Sequence, residues 1–212
     1  MFKNFTELNQ QDVLDHLMLT AYISEFGEWD NHTHLEHIRR YAYILAIGSR
    51  IGHNEAILIS MASVLHDIGK LTIPISILKK TANLDPAEYK ISEQHTVVGA
   101  RLLSGSGSPI FQTSEIIAHT HHERWDGSGY PKGLKGEAIP LSGRITALAD
   151  VFDALTTKRP YKPQVQVGAA FDLIKESSGS LFDPKLVSIF VDRFEDFNTI
   201  LQMQSSSFRH QR

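Results

Sequence analysis

Cysteine is absent from the 212-residue chain, which removes disulfides, zinc knuckles, iron–sulfur clusters and thiol nucleophiles as explanations of its chemistry. The same absence fits a reducing compartment. Long apolar runs are missing too: the start, MFKNFTELNQQDVLDH, is polar and amphipathic, so neither a secretory signal nor a membrane span is expected. The resulting expectation is a cytoplasmic protein with no membrane partner. Positive charge is not in excess, since 21 Lys and Arg stand against 24 Asp and Glu for a formal net charge of −3. That balance argues against long nucleic acid as a partner and requires any phosphate ligand to be gripped locally. Strand signals are weak, because no segment joins two-residue alternation to hairpin turn chemistry. No internal repeat is visible.

What is present reads as helix. At 42% hydrophobic residues the chain can bury one sizeable core, which points to one compact domain with a helical extension. Leu8, Val13, Leu14, Leu17, Met18 and Ala21 mark an amphipathic first helix over about 6–26, a linker or dimerisation helix. A second pattern runs from His34 to Ile51 and stops at Gly52. A third starts at an Asn54 N-cap and ends on His66 and Asp67 before Gly69, which lets the chain turn away. A Pro-containing connector covers 71–81. Asp85, Pro86 and Glu88 then form a strong helix start for a helix carrying His95 to about Leu103. Ser104–Ser108 is a Gly/Ser turn, and Ile110 to about His119 is helical. Residues 123–143, rich in glycine, form a long ordered loop. Helices resume over about 142–158, 165–177 and 184–201, the last opened by Asp183 and Pro184. The tail from Ser205 is expected to fray.

The chain holds eleven histidines, and their placement carries more than their number. His66 and Asp67 are adjacent at a helix end, where one nitrogen and one oxygen can face a metal ion. His34, His95, His121, His122 and Asp150 fall near the ends or inner faces of separate helices, the arrangement by which bundles assemble metal sites. Seven nitrogen and oxygen ligands exceed the need of one tetrahedral ion, and Asp67 can bridge two, so a two-metal centre is the economical reading. Such a pair suits phosphodiester hydrolysis, one ion orienting the attacking water while both neutralise charge on the equatorial oxygens. His16, His53 and His210 read as ordinary core or surface histidines; His32, His37 and His119 lie within a few residues of proposed ligands. The segment His121–Pro131, HHERWDGSGYP, holds a shaped loop beside the paired imidazoles through Gly127, Gly129 and the stiff Tyr130–Pro131 exit. Arg159 and Lys162, on a proline-stiffened turn, can hold phosphate or a guanine edge, and Lys70 can contact the scissile phosphate.

The motifs HDIGK, HHERWDGSGYP, LKGEAIPLSGRI and ADVFDALTTKRPYK, in one collinear order over about residues 30–192, resemble the HD-GYP family of cyclic di-GMP phosphodiesterases, within the HD superfamily of metal-dependent phosphohydrolases. The resemblance implies an all-α, HD-superfamily helical bundle with additional C-terminal helices. It divides the chain into an N-terminal helix at 1–29, a catalytic domain at 30–200 and a disordered tail at 201–212. It implies two divalent transition-metal ions, iron or manganese, on His34, His66, Asp67, His95, His121, His122 and Asp150. Asp67 and Lys70 would serve catalysis, and Lys70, Arg159, Lys162, Gly129 and Tyr130 would bind substrate, a cyclic dinucleotide opened to the linear form or to GMP. Two departures stand out. Asp30 occupies the place of a glutamate associated with a third ion, and His37 stands where an arginine is usual. Other readings are an HD phosphohydrolase acting on another nucleotide, and a degenerate module that signals by binding a protein partner through the Gly-rich loop. A homodimer formed through the first helix is a further expectation.

Overall fold

In the computed structural model of this protein the described residues are 10–24, 31–157 and 164–207, with side chains described within 11–24, 33–157 and 164–203. Among them run helices α1 (Gln10–Ser24), α2 (Asn31–Gly48), α3 (His53–Ser63), α4 (Ile75–Leu78), α5 (Pro86–Leu103), α6 (Pro109–Thr120), α7 (Leu141–Thr156), α8 (Val167–Glu176), α9 (Pro184–Asp192) and α10 (Phe194–Ser207), with 3-10 turns at Ile68–Thr72 and Gly136–Ala138. The described residues contain no strand, only an isolated bridge between Ser178 and Phe182. The fold class expected from the sequence, all-α, is borne out. No helix among the described residues is long and apolar enough to cross a membrane.

Where local chemistry is strong, the elements start as expected. Asp85 accepts from the backbone N–H groups of Ala87 (2.8 Å) and Glu88 (2.9 Å), and the Glu88 carboxylate accepts the Asp85 N–H at 2.9 Å. This reciprocal cap, with Pro86 in the first turn, fixes where α5 begins. Asp183 caps α9 more simply, its side chain accepting the Lys185 N–H at 2.8 Å with Pro184 in the first turn.

Several boundaries differ from the sequence expectation, each for a visible reason. α3 opens at His53 after Gly52, not at an Asn54 cap, because Gly52 takes a left-handed φ of 47° that turns the chain into the helix. α3 also stops at Ser63, before the His66–Asp67 pair. The N–H groups of Leu65, His66 and Ile68 bond to Ala62, Ser63 and Leu65 carbonyls three residues back, so the pair sits in a tightened turn that leads into the first 3-10 turn. The 71–81 connector contains the short α4. The expected single helix over 184–201 is two helices that meet at Arg193, whose φ of −110° departs from helical geometry. The break lets Phe190 and Phe197, from different helices, both pack edge-on against Phe152 at centroid separations of 5.2 and 5.5 Å.

Two apolar clusters hold the molecule. One joins Ile38, Tyr41 and Leu45 of α2 to Ile145, Leu148 and Phe152 of α7 and to Phe190 and Phe197. The other joins Leu17 and Ala21 of α1 to Leu35, Met61, Leu65, Leu103 and Ala118. α2 contributes to both, and its polar face between them carries His34. α1 therefore spends part of its apolar stripe on its own chain, while Leu19, Tyr22 and Ile23 remain exposed.

Gly69 sets the depth at which the 3-10 turn sits on α5. A Cβ at Gly69 would lie 1.9 Å from the His95 carbonyl oxygen and 2.6 Å from the Gly99 nitrogen. Its role is close approach of two backbones rather than an unusual turn. Gly69→Ala should destabilise the chain by at least about 2 kcal/mol in denaturant unfolding. Gly107→Ala, where an added Cβ meets nothing within 4 Å, serves as the control; equal stability of the two variants would refute the packing argument.

Candidate metal centre

The side chains singled out in the sequence meet in one place. His34 arrives on α2, His66 and Asp67 in the turn after α3, His95 on α5, His121 and His122 immediately after α6, and Asp150 on α7. Ligand atoms of Asp67, His95, His121 and His122 lie within 4.8 Å of one another, and so do those of His34, His66 and Asp150. Asp67 stands between the groups. Its Oδ2 is 3.2 Å from His66 Nε2, while its Oδ1 is 3.3 Å from His95 Nε2 and 3.6 Å from His121 Nε2. His34 Nε2 is 4.0 Å from Asp150 Oδ1.

The protonation of the rings follows from their outer partners. His66 Nδ1 bonds the Ser63 carbonyl at 2.9 Å, His95 Nδ1 the Ser92 carbonyl at 2.5 Å, and His121 Nδ1 the carbonyls of Ile117 and Ala118 at 3.1 and 3.2 Å. A carbonyl only accepts, so each Nδ1 carries a proton, and in the neutral ring the lone pair then falls on the inward-facing Nε2, as metal ligation requires. His34 does the same through a carboxylate, donating from Nδ1 to Asp153 Oδ2 at 2.7 Å. Burial pushes His95 down to about 4, and burial together with its imidazole neighbours holds His122 well below the usual histidine range, so both are neutral near pH 7. Burial alone would raise the Asp67 carboxyl. The Lys70 ammonium, at 2.7 Å from Oδ2, is the largest influence opposing it and holds Asp67 well below the usual carboxylate range.

These facts test whether the residues fit metal ions. Asp67 Oδ1 is buried and accepts no hydrogen bond among the described residues, yet it faces two imidazole lone pairs. Anionic oxygen against nitrogen lone pairs in a dry site is repulsive unless a cation lies among them. The donor set, imidazole and carboxylate without thiolate, suits divalent transition metals, and a carboxylate reaching both groups can bridge two of them. The residues fit.

The loop after the paired imidazoles is built on a residue that the sequence reading left without a role. Glu123 is 3% exposed and accepts the backbone N–H groups of Lys132 (2.8 Å) and Leu134 (2.9 Å) with its two oxygens. It thereby ties the start of the loop to its far side. A Cβ at Gly129 would lie 2.5 Å or less from the His122 carbonyl oxygen and from Glu123 and Arg124 backbone atoms, so the residue there must be glycine for the strands of the loop to touch. The Tyr130 N–H then bonds the His122 carbonyl at 3.2 Å, and its ring stacks on the His122 ring at 4.7 Å.

The second residue missed is Asp153, wholly buried, which holds His34 from behind. Its signal was its spacing, three residues after Asp150 on the same face of α7. Of the histidines left open, His37 also bonds Asp153, at 2.5 Å. His119 belongs to neither ligand group, and His16 and His53 bond the Asp12 carbonyl and the Tyr43 hydroxyl. Asp30, Arg159, Lys162 and His210 lie outside the described residues, as does the His32 side chain.

The geometry agrees with what the chain resembles. Residues 24–186 match the HD domain family. Over 189 residues the chain is 43% identical to a protein named cyclic di-GMP phosphodiesterase from Thermotoga maritima, covering 88% of this chain and 50% of that protein. Over 167 residues it is 42% identical to the 3′3′-cGAMP-specific phosphodiesterase 2 of Vibrio cholerae, covering 79% and 32%. A solved structure described as a cyclic GMP-AMP specific phosphodiesterase of Vibrio cholerae, V-cGAP3, superposes with a TM-score of 0.65 at 21% identity, covering 92% of this chain and 52% of that one; this likeness speaks to the fold. The chain belongs to the HD domain family, and its relatives bear out the HD-GYP resemblance. Divalent metal binding follows from that membership together with the two ligand groups. The chain spans half or less of the length of these two relatives.

Because an ion that binds only the folded site stabilises it by mass action, Mn²⁺ at a hundred times its dissociation constant should add about 2.7 kcal/mol to unfolding. Chelation should reverse the gain, and Asp67→Asn should abolish it. Unfolding curves of the native chain that ignore Mn²⁺ would contradict the metal centre.

Proposed function

We propose that the chain is a phosphodiesterase that hydrolyses cyclic di-GMP to the linear dinucleotide or to GMP, with two divalent ions, iron or manganese, held by His34, His66, Asp67, His95, His121, His122 and Asp150. The observation that carries the reading is the pair of ligand groups meeting at Asp67, whose two oxygens face different groups. Seven nitrogen and oxygen donors favour ions of higher coordination over tetrahedral zinc. Bound there, the ions supply Lewis-acid charge that activates water and neutralises the phosphoryl oxygens.

The chain's own groups do the rest. Lys70, extended beside Asp67 on the first 3-10 turn, is assigned to a non-bridging phosphate oxygen, where its charge offsets that developing in the transition state. Tyr130 covers His122 and excludes water from one side of the ligand set, and Gly129 keeps the loop close enough for it to do so. Arg159 and Lys162 are assigned by their sequence motif to substrate phosphate or a guanine edge. The unit proposed to act is 30–200, in the cytoplasm, with α1 available for pairing through Leu19, Tyr22 and Ile23.

A second reading, a mixed cyclic dinucleotide as substrate, is favoured by the 42% identity to a relative named as specific for 3′3′-cGAMP. Product analysis of the anaerobically metal-loaded chain on cyclic di-GMP, 3′3′-cGAMP, linear dinucleotide and mononucleotides separates the two. The proposal expects fastest turnover of cyclic di-GMP, abolished by the double change His66→Ala, Asp67→Ala. No turnover of any cyclic dinucleotide, or an undiminished rate in the double variant, would sink it.

A further inference from the structure

α2 and α7 are clasped at one carboxylate. Asp153 accepts the His34 Nδ1–H at Oδ2 (2.7 Å) and the His37 Nδ1–H at Oδ1 (2.5 Å), and the Thr157 hydroxyl donates to Oδ1 at 2.9 Å. His34 and His37 are three residues apart on α2, so they rise from one face and can engage the two oxygens of one acceptor. All lie out of water: Asp153 is 0%, His37 3% and His34 8% exposed.

Stability alone does not account for His37. Among the described residues its Nε2 has no hydrogen-bond partner, and neither has the hydroxyl of Tyr41, whose ring lies 5.4 Å away. A buried imidazole that leaves one nitrogen unbonded is a poorer helix-to-helix contact than an apolar side chain of similar size. What His37 supplies is direction. At Oδ1 the carboxylate is otherwise held, among the described residues, only by the Thr157 hydroxyl, a rotor on the same helix one turn on (2.9 Å); the shorter bond from His37 (2.5 Å) ties that oxygen to α2, the helix that carries His34, and so keeps Oδ2 on His34 Nδ1. That fixes the His34 proton and leaves Nε2 facing Asp150, which lies one turn earlier on α7.

We infer that His37 is a positioning residue which, through Asp153, orients His34 for the ion of the His34, His66 and Asp150 group alone. The other group contains neither partner of Asp153. The inference rests on the two-ion reading above, and its readout is occupancy rather than turnover.

The test is calorimetric titration of the metal-free full chain with Mn²⁺, beside nitrogen-15 spectra of its histidines. Wild type should take two ions and show His34 protonated at Nδ1. His37→Leu and His37→Gln, which lack a donor at the Nδ1 position, should keep one site at wild-type affinity and weaken the other about 10–100-fold, with the His34 proton no longer confined to Nδ1. His37→Asn, whose amide nitrogen can take that position, should restore the weakened site. If the leucine variant does not fold, the asparagine and glutamine pair decides. Variants that bind both ions as wild type does, or lose both together, overturn the inference. A wild type that binds a single ion overturns the two-ion reading and the inference with it.

Discussion

An ionised carboxylate sealed among imidazoles that turn lone pairs toward it is unstable on electrostatic grounds, and the rest of this fold is arranged to create that situation at Asp67. The Lys70 ammonium relieves one oxygen. The other faces His95 and His121 without a donor. A divalent cation on each side of the carboxylate, as proposed, would convert the repulsion into attraction, and the low dielectric that made the site unfavourable would then strengthen its grip. At Oδ1 there is thus a demand for positive charge that Lys70, on Oδ2, does not meet.

Keeping that demand requires that the rings not relax by flipping or exchanging protons. Backbone carbonyls of α3, α5 and α6 hold His66, His95 and His121 by Nδ1, and Asp153 holds His34. Each anchor belongs to a helix or to the turn that ends one, so the ligands inherit the rigidity of the bundle. Close backbone packing at Gly69 brings the turn with Asp67 against α5 with His95. At the open side, Glu123 and Gly129 shape the loop that lays Tyr130 over His122. Fold and site are thus one construction: elements that would otherwise need only an apolar seam are spaced by what the ligands require.

The sequence disclosed much of this because its strongest signals are local. The Asp85–Pro86–Glu88 cap, the amphipathic periods and the histidine and aspartate positions are written in neighbouring residues, and the seven candidate ligands that the fold brings together could be named from them. What stayed hidden depends on tertiary contact. Asp153 looked like an ordinary residue within a helix, since only the approach of α2 reveals that its carboxylate meets two imidazoles. Glu123 read as loop, because its partners Lys132 and Leu134 lie across a turn whose path is not local. Gly69 was assigned a turning role when its requirement is space for α5. The break at Arg193 escaped the periodicity because 184–201 is amphipathic throughout, and aromatic packing on Phe152, not propensity, divides it. The Asp30, Arg159 and Lys162 assignments lie outside the described residues and stand on sequence alone.

The central claim is that Asp67 joins two cations, one in each ligand group. Anomalous diffraction from crystals grown with Mn²⁺ under anaerobic conditions measures this directly. The account predicts two manganese peaks about 3.5–4 Å apart, one among Asp67, His95, His121 and His122, the other among His34, His66 and Asp150, with one Asp67 oxygen on each. A single peak, or peaks remote from Asp67, would contradict it.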